Sequence, residues 1–220
     1  MSLIPYYQDA AVTLYHGDCR EILPMLEDGE ISTLITDPIW PNAHPGFFER
    51  DPLLDPVKLF GDMLAVLPLS VRRLIVWLGC QSDPREMLGL IPQRFKFLRA
   101  SYLKYDVPTY NGRCLVTGDF LYAFGQWPPW ERGASVIPGE AHGTSDRRLR
   151  QPHPAARKQS HANWVMRWWG REGIVIDPFV GSGTTLVAAK DQSRRAIGIE
   201  ICEEYCEIAA RRLSQEVLPL

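Results

Sequence analysis

Residues 174–189, "IVIDPFVGSGTTLVAA", decide the predicted fold of this chain. An apolar run ends at Asp177, a turn with two glycines follows, and a helical stretch begins directly after it. Glycines allow the backbone to pass close beneath a ligand, and the free N–H groups of a helix N-terminus bind polar or negatively charged atoms. The stretch therefore predicts a strand, a ligand-binding turn and a helix, in that order.

A second strand after this helix strengthens the prediction. The apolar run "AIGIE" ends at Glu200, about nineteen residues beyond the first glycine of the turn. In nucleotide-binding α/β units, an acidic residue at this place binds the hydroxyl groups of a ribose. A glycine-rich turn alone is as often structural as functional, but the complete set of strand, turn, helix, strand and acid predicts a nucleotide-type ligand.

Short apolar runs alternate with helical stretches along much of the chain, which indicates an α/β fold. The predicted strands are 12–16, 32–36, 73–78, 97–103, 114–124, 173–177 and 196–200. Two helices are predicted to begin at Asp55-Pro56 and Asp83-Pro84, because each pair combines a capping carboxylate with a proline suited to the first turn. A last helix is predicted over residues 203–213.

The strands at 97–103 and 114–124 are joined by a short polar segment with the turn signal Asn111-Gly112, so we expect an antiparallel hairpin at one edge of the sheet. Residues 126–152 show no periodicity and are rich in Pro, Gly and Arg, which predicts one long loop. No linker or internal repeat divides the chain, so we expect residues 1–220 to form a single domain.

Composition excludes several classes of protein. A hydrophobic fraction of 45% with 23% charged residues is typical of a soluble globular chain, and no apolar run approaches the roughly 18 residues of a membrane helix. The N-terminus does not resemble a secretory signal, and the five cysteines form no CxxC pair, so we expect free thiols in the cytoplasm. A net charge of −2 argues against a generic nucleic-acid coat protein.

At four places the sequence resembles the DNA amino-methyltransferases that use S-adenosylmethionine. "DPFVGSGTT" (177–185) is similar to the family's cofactor motif, and "TDPIW" (36–40) to its catalytic DPPY or DPPW tetrapeptide. "LYHGDCREIL" (14–23) and "HPAARK" (153–158) resemble the family's GD-C segment and its HPTQKP stretch. The order of these motifs, with the catalytic one first, is that of the circularly permuted β group.

The resemblance implies a Rossmann-like methyltransferase fold in a single, circularly permuted domain. Its sheet should be mostly parallel with an antiparallel hairpin edge, and helices should cover both faces. The implied cofactor is S-adenosyl-L-methionine, and the residues expected to bind it are Asp18, Asp177, Phe179, Gly181, Ser182, Gly183, Thr184 and Glu200. For Asp18, in a strand expected beside that of Glu200, the alternative is an N-cap for a helix at 20–27.

The resemblance makes Asp37, Pro38 and Trp40 the expected catalytic residues, and elementary chemistry agrees. The amino group of a nucleobase is a poor nucleophile, because its lone pair is delocalised into the ring. The Asp37 carboxylate and the Pro38 carbonyl can each accept one amino hydrogen, and the Trp40 ring can stack on a base that has left the duplex. The alternative for this stretch is a strand-ending Asp-Pro turn with a buried tryptophan.

The implied function is methyl transfer to adenine N6 in double-stranded DNA, with the target base flipped out of the helix, as in restriction-modification systems. Residues 126–152 are the candidate target-recognition element, and Arg147, Arg148 and Arg150 are expected to contact DNA. The small size of this element implies a short recognition site, modest specificity or the help of a second subunit, as in a homodimer. The histidines and cysteines match no common metal-site spacing, so no metal is expected.

The chain departs from the family at Ile39, where a second proline is usual, and at Arg157-Lys158, where Lys-Pro is usual. A leading Asp in the catalytic motif favours adenine N6, whereas enzymes that act on cytosine N4 more often begin with Ser. The open alternatives are a cytosine-N4 methyltransferase, a methyltransferase for RNA or protein glutamine, and a cofactor-binding protein without activity, which only Ile39 suggests.

Overall fold

The computed structural model describes residues 3–26, 30–42, 54–79, 83–130, 136–143 and 157–215. The strands of these ranges are β1 (Tyr7–Gln8), β2 (Val12–His16), β3 (Ile31–Thr36), β4 (Arg73–Gly79), β5 (Phe97–Asn111), β6 (Cys114–Gly125), β7 (Glu140–His142), β8 (Ile174–Asp177) and β9 (Arg195–Glu200). The helices are α1 (Cys19–Ile22), α2 (Pro56–Ala65), α3 (Pro84–Leu88), α4 (Gln159–Trp169), α5 (Thr184–Asp191) and α6 (Glu203–Leu213).

All of these strands join one sheet, in the order β1, β2, β9, β8, β3, β4, β6, β5, β7. The strands from β2 to β4 in this order are parallel, whereas β6 runs antiparallel to both of its neighbours. The predicted α/β fold with a mostly parallel sheet and an antiparallel hairpin is therefore confirmed. The hairpin is not the edge, however, because β7 pairs in parallel with β5 outside it.

Both faces of the sheet are covered by helices, as expected. In β4 the side chains of Leu74, Val76 and Leu78 join one core, while Ile75 and Trp77 join the other. This strict alternation follows from the two-residue period of a strand, and burial on both sides explains why β4 is apolar throughout. Helices α1, α2 and α3 contribute to the first core, and α4, α5 and α6 contribute to the second.

The chain leaves β3 and β8 in opposite directions across the sheet, although these two strands are neighbours. From β3 it passes through α2 to β4, and from β8 it passes through α5 to β9 on the other side. In open α/β sheets such a switch point leaves a crevice beyond the C-terminal ends of the strands, where ligands bind. The residues that follow β3 and those that end β8 are therefore brought to the same crevice.

The prediction of one irregular loop over 126–152 is wrong in part. Gly125, at the end of β6, pairs with Arg73 at the start of β4, so residues 126–130 lie at the end of the sheet remote from this crevice. β7 lies beside β5 at the edge of the sheet, where His142 pairs with Lys104. The strand escaped prediction because three residues are too few to show a period. Residues 131–135 and 144–152 lie outside the described ranges.

Two further expectations concern the ends of helices and the cysteines. The first helix begins at Cys19 and stops at Ile22, where a 3-10 turn over Leu23–Met25 follows, so it is shorter than the 20–27 expected. Pro24 within this turn cannot donate the backbone hydrogen bond that continuation of the helix would need. Among the residues that the structure describes, no cysteine forms a disulfide. No described helix is both long enough and apolar enough to span a bilayer.

Candidate active site

The C-terminal ends of β3, β8 and β9 open into one cavity of about 710 Å³. This volume lies in the range of small-molecule and cofactor pockets. Of the residues predicted from the sequence, the cavity is lined by Asp18, Asp37, Pro38, Trp40, Asp177, Phe179, Gly181, Ser182, Thr184 and Glu200. The structure thus brings the "TDPIW" and "DPFVGSGTT" motifs, which are separated by most of the chain, to the walls of a single cavity.

The glycine turn after β8 has the backbone that its sequence predicts. Gly181 and Gly183 have φ angles of 53° and 83°, a region that residues with a side chain rarely adopt. Gly183 differs from the expectation because it does not line the cavity. A Cβ atom at this position would lie 2.8 Å from the Cβ atom of Ala209 in α6, so the glycine is required for helix packing.

Glu200, at the end of β9, is tied to the glycine turn. Its Oε2 atom accepts the backbone N–H of Gly181 at 2.8 Å, and its Oε1 atom accepts that of Cys202 at 2.8 Å. Burial raises the pKa of Glu200, and these two hydrogen bonds oppose the rise. Each carboxylate oxygen retains a lone pair, so the buried acid can still accept hydrogen bonds from hydroxyl groups in the cavity.

Of the two roles considered for Asp18, helix capping and ligand binding, the structure shows the first. Its Oδ1 atom accepts the backbone N–H of Arg20 at 2.8 Å, which makes it the N-cap of α1. The Arg20 side chain also pairs with the carboxylate at 2.6 Å, and these contacts lower the pKa of Asp18. β2 pairs in parallel with β9, with His16 beside Glu200, as the permuted order predicts. The N-cap is confirmed, and ligand binding by Asp18 stays a prediction.

Asp177 is the most deeply buried acid of the cavity, with 2% of its surface exposed. Its Oδ1 atom accepts the backbone N–H of Phe179 at 3.1 Å. Burial raises the pKa of Asp177 to about 7, and the negative charges of Asp37 and Glu200 add to the rise. Four carboxyl groups line the cavity, and arginines pair with Asp18 and Asp37, so Asp177 and Glu200 are the acids that would face a positively charged ligand.

Asp37 follows β3 and is paired with a residue that sequence reasoning did not assign to the site. The Nε and Nη2 atoms of Arg157 lie 2.5 Å and 2.9 Å from the two carboxylate oxygens of Asp37. The Nη1 atom of the same guanidinium lies 2.5 Å from Oδ2 of Asp119 on β6. Burial raises the pKa of Asp37, and it would lower that of Arg157, but the two carboxylates overcome this and raise the pKa of Arg157.

Trp40 lies beneath this guanidinium. The Arg157 Cζ atom is 4.3 Å from the centroid of the Trp40 ring, a cation–π distance. The six-membered part of the indole packs against Gly79 of β4, where a Cβ atom would lie 2.3 Å from Trp40 Cζ3. Gly79 therefore provides the space in which the indole lies at the cavity wall. Ile39, the departure from the family motif, lines the cavity as well.

Signals for the unassigned residues were present in the sequence. Arg157 occupies the position of the lysine in the family's HPTQKP stretch, so its presence near the site follows from that motif, although its partners do not. Asp119 is a charged residue directly before the apolar run "FLYAF" (120–124) in the same strand, and a charge inside a buried strand needs a partner. Tyr105 supplies a second donor to Asp119, with 2.5 Å between the oxygen atoms.

Some predicted residues cannot be placed. Arg147, Arg148 and Arg150 lie outside the described ranges, so their predicted contact with DNA stays a prediction. Among the residues that the structure describes, no group of three or more His, Cys, Asp or Glu side chains is arranged to bind a metal ion.

Comparison with known proteins agrees with this geometry. Residues 155–211 match the N6_N4_Mtase family, described as DNA methylase. The Type II methyltransferase M.ScaI of Streptomyces caespitosus is 49% identical over an alignment that covers 98% of this chain and 86% of that protein. The chain belongs to the DNA N6/N4 amino-methyltransferase family. The family expected from the sequence motifs is thereby confirmed.

Other similarities are shorter or concern the fold alone. The orphan methyltransferase M.BamHII of Bacillus amyloliquefaciens is 45% identical over 67 residues, which span 30% of this chain and only 25% of that protein. The PvuII DNA methyltransferase is a cytosine-N4-specific protein. Its alignment covers 98% of this chain and 90% of that chain, with a TM-score of 0.73 and 20% identity. The alignment with the crystal structure of the M1.HpyAVI–SAM complex covers 93% of this chain and 100% of that chain, with a TM-score of 0.70 and 19% identity. These neighbours confirm the methyltransferase fold.

Proposed function

We propose that this protein transfers a methyl group from S-adenosylmethionine to adenine N6 in double-stranded DNA, within a single circularly permuted domain. The observation that carries the proposal is that Asp37 and Asp177, at the ends of neighbouring parallel strands, line one cavity. An amino group held by the first residue and a methyl donor held beside the second would meet without any movement of the sheet.

The residues of the cavity fit S-adenosylmethionine. Glu200 would accept the ribose hydroxyls, and the glycine turn at Gly181 would allow close approach of the ligand to the backbone. The carboxyl group of Asp177, when ionised, matches the positive charge that this cofactor carries. When bound, the cofactor supplies an electrophilic methyl group on a sulfonium.

The catalytic part of the proposal assigns each group one task. The Asp37 carboxylate and the Pro38 carbonyl accept the two amino hydrogens of the base, which orients the nitrogen toward the methyl group. These hydrogen bonds strengthen as positive charge develops on the nitrogen, so they stabilise the transition state more than the ground state. Trp40 provides a surface on which the flipped base stacks, and this contact offsets part of the stacking lost from the duplex.

Adenine is proposed because the motif begins with Asp37. The test is incubation with methyl-labelled S-adenosylmethionine and unmethylated double-stranded DNA, followed by nucleoside analysis. We expect label in N6-methyladenine, and Asp37→Asn should reduce transfer by at least about a hundredfold, the effect of removing one group that stabilises transition-state charge. Cofactor binding should persist in the variant.

Asp83→Asn is the matched control, because Asp83 caps α3 away from the cavity and asparagine caps helices equally well. Label in N4-methylcytosine would show that the substrate base is cytosine and not adenine. Cofactor binding by the unsubstituted protein without any transfer to DNA would contradict the proposal and leave a cofactor-binding protein without activity.

A further inference from the structure

Arg157 occupies the position that the proposed function assigns to the target base. Its guanidinium donates to both oxygens of Asp37 and lies 4.3 Å above the Trp40 ring. A guanidinium is planar and presents two parallel N–H donors. It can therefore donate to the carboxylate and stack on the ring that a base with an amino group would use. With 16% of the Arg157 side chain exposed, the guanidinium fills this part of the cavity. A base cannot enter while it is there.

Asp119 provides the guanidinium with a second, independent anchor. The Asp119 side chain is 4% exposed and receives Arg157 Nη1 and the Tyr105 hydroxyl, each at 2.5 Å. Buried carboxylates require a charged or hydrogen-bonding partner, so Asp119 keeps Arg157 close even when the contacts to Asp37 are broken. The two donors facing Asp37 are different nitrogen atoms from the one that faces Asp119. The contact with Asp119 can therefore persist while the other two are exchanged.

We propose that Arg157 is a displaceable stand-in for the target base, and that Asp119 is the positioning residue that retains it when the base enters. This inference rests on the proposed function, because it concerns the same Asp37 clamp. In the protein without DNA the guanidinium holds Asp37 and Trp40 in place. On entry of the base, one amino hydrogen replaces the guanidinium donors on Asp37 while the other binds the Pro38 carbonyl, and Arg157 moves toward Asp119 and Tyr105. No bond is made or broken apart from these hydrogen bonds.

The proposal predicts opposite effects for two conservative substitutions. Arg157→Lys keeps the positive charge that Asp119 needs but removes the planar fork that engages both oxygens of Asp37, so a base should enter more easily. Asp119→Asn removes the negative charge that draws Arg157 away, so the guanidinium should stay on Asp37 and a base should enter less easily. If these residues served only the stability of the fold, both substitutions would weaken binding of the base.

The measurement is the affinity for 9-methyladenine, with 1-methylcytosine as a second arm, by calorimetry in the presence of S-adenosylhomocysteine. We expect Arg157→Lys to bind at least about tenfold more tightly than the unsubstituted protein, and Asp119→Asn to bind at least about threefold more weakly. In the double variant the effect of Asp119→Asn should disappear, because lysine lacks the guanidinium whose position Asp119 controls. Circular dichroism and cofactor affinity confirm that each variant is folded.

Equal affinities of Arg157→Lys and the unsubstituted protein, or changes of the same sign in both single variants, would overturn the proposal. If the proposed function is wrong, the result is different. The methyl-transfer assay is then negative for the unsubstituted protein and all variants, while the opposite shifts in base affinity persist. Transfer to DNA with unchanged base affinities leaves the proposed function intact and removes the role of Arg157.

Discussion

The Oε2 atom of Glu200 accepts the backbone N–H of Gly181 at 2.8 Å, which joins the end of β9 to the glycine turn after β8. A second hydrogen bond, from the N–H of Cys202 to Oε1, holds the other carboxylate oxygen. One buried side chain thus fixes the turn and offers its remaining lone pairs to the cavity. The carboxylate therefore has a structural task, and we propose that it also binds the ligand.

Glu200→Gln should weaken both tasks, because the amide nitrogen cannot accept a hydrogen bond and one of the two N–H donors loses its partner. An unsatisfied buried donor costs about 1–3 kcal/mol in the free energy of unfolding. We also expect a loss of at least about tenfold in affinity for S-adenosylhomocysteine, measured by calorimetry. Glu207→Gln is the control, since that exposed carboxylate pairs with Arg211 on the surface of α6. Unchanged affinity in Glu200→Gln would exclude Glu200 from ligand binding.

Gly79→Ala tests the position of Trp40. A Cβ atom at residue 79 would lie 2.3 Å from Cζ3 of the indole, so the ring must move into the cavity or the strand must shift. We expect methyl transfer to DNA to fall at least about tenfold. Cofactor affinity should be nearly unchanged, because Glu200 and the glycine turn follow β9 and β8, whereas the ring packs against β4. Steady-state kinetics with DNA and calorimetry with cofactor separate the two effects.

The control for this substitution is Gly61→Ala in α2. A Cβ atom there would lie 3.5 Å from Leu90, an ordinary van der Waals distance. Alanine in a helix interior is more stable than glycine by roughly 0.5–1 kcal/mol, so this variant should be as active as the unsubstituted protein and slightly more stable. Full activity of Gly79→Ala would show that the indole position does not matter for transfer.

The features that were predictable from the sequence are those in which neighbouring residues determine one another. The strand, the glycine turn and Glu200 lie within one β-α-β unit, and the pairing of His16 with Glu200 follows from the permuted order of the motifs. The contact of Arg157 with Asp37 was not predictable, because the residues are 120 positions apart and a side-chain conformation selects the partner. The same holds for Asp119, whose partner is decided by the packing of β6 beside β4.

Arg73 should be the most important charged residue for stability at the opposite end of the sheet. Its side chain is fully buried and donates to Thr33, to the Glu172 carboxylate and to the backbone carbonyls of Gln126 and Trp127. Removing one partner from a buried ionic network leaves the others unsatisfied and costs about 3–5 kcal/mol. Arg73→Ala should lower the urea midpoint accordingly.

For comparison, Arg85→Ala removes an ion pair with Asp83 in which the arginine side chain is 88% exposed. Water and salt screen an exposed ion pair, so the urea midpoint of this variant should stay close to that of the unsubstituted protein. If both arginine variants unfolded at the same urea concentration, the buried network around Arg73 would have no special contribution to stability.

Asp177 should make the protein less stable as the pH rises from about 4 to about 7. Burial raises its pKa to about 7 in the folded chain, whereas in the unfolded chain the carboxyl group titrates near 3.8. Between these values the folded state binds a proton that the unfolded state has lost, so the contribution of this group to stability falls with pH, by on the order of a few kcal/mol in total. Asp177→Asn should flatten the profile of urea midpoints over this interval, and Asp83→Asn should not.

The same proton links pH to binding of a positively charged ligand. A cation beside Asp177 stabilises the ionised carboxylate and lowers its pKa, so binding releases a proton whenever the free protein is still protonated. The affinity for S-adenosylmethionine should therefore rise as the pH approaches about 7 and level off above it. S-adenosylhomocysteine lacks the sulfonium charge and should show a smaller rise. Calorimetry in buffers of different ionisation enthalpy measures the number of protons released on binding. Equal pH profiles for the two ligands would mean that the sulfonium does not lie beside Asp177.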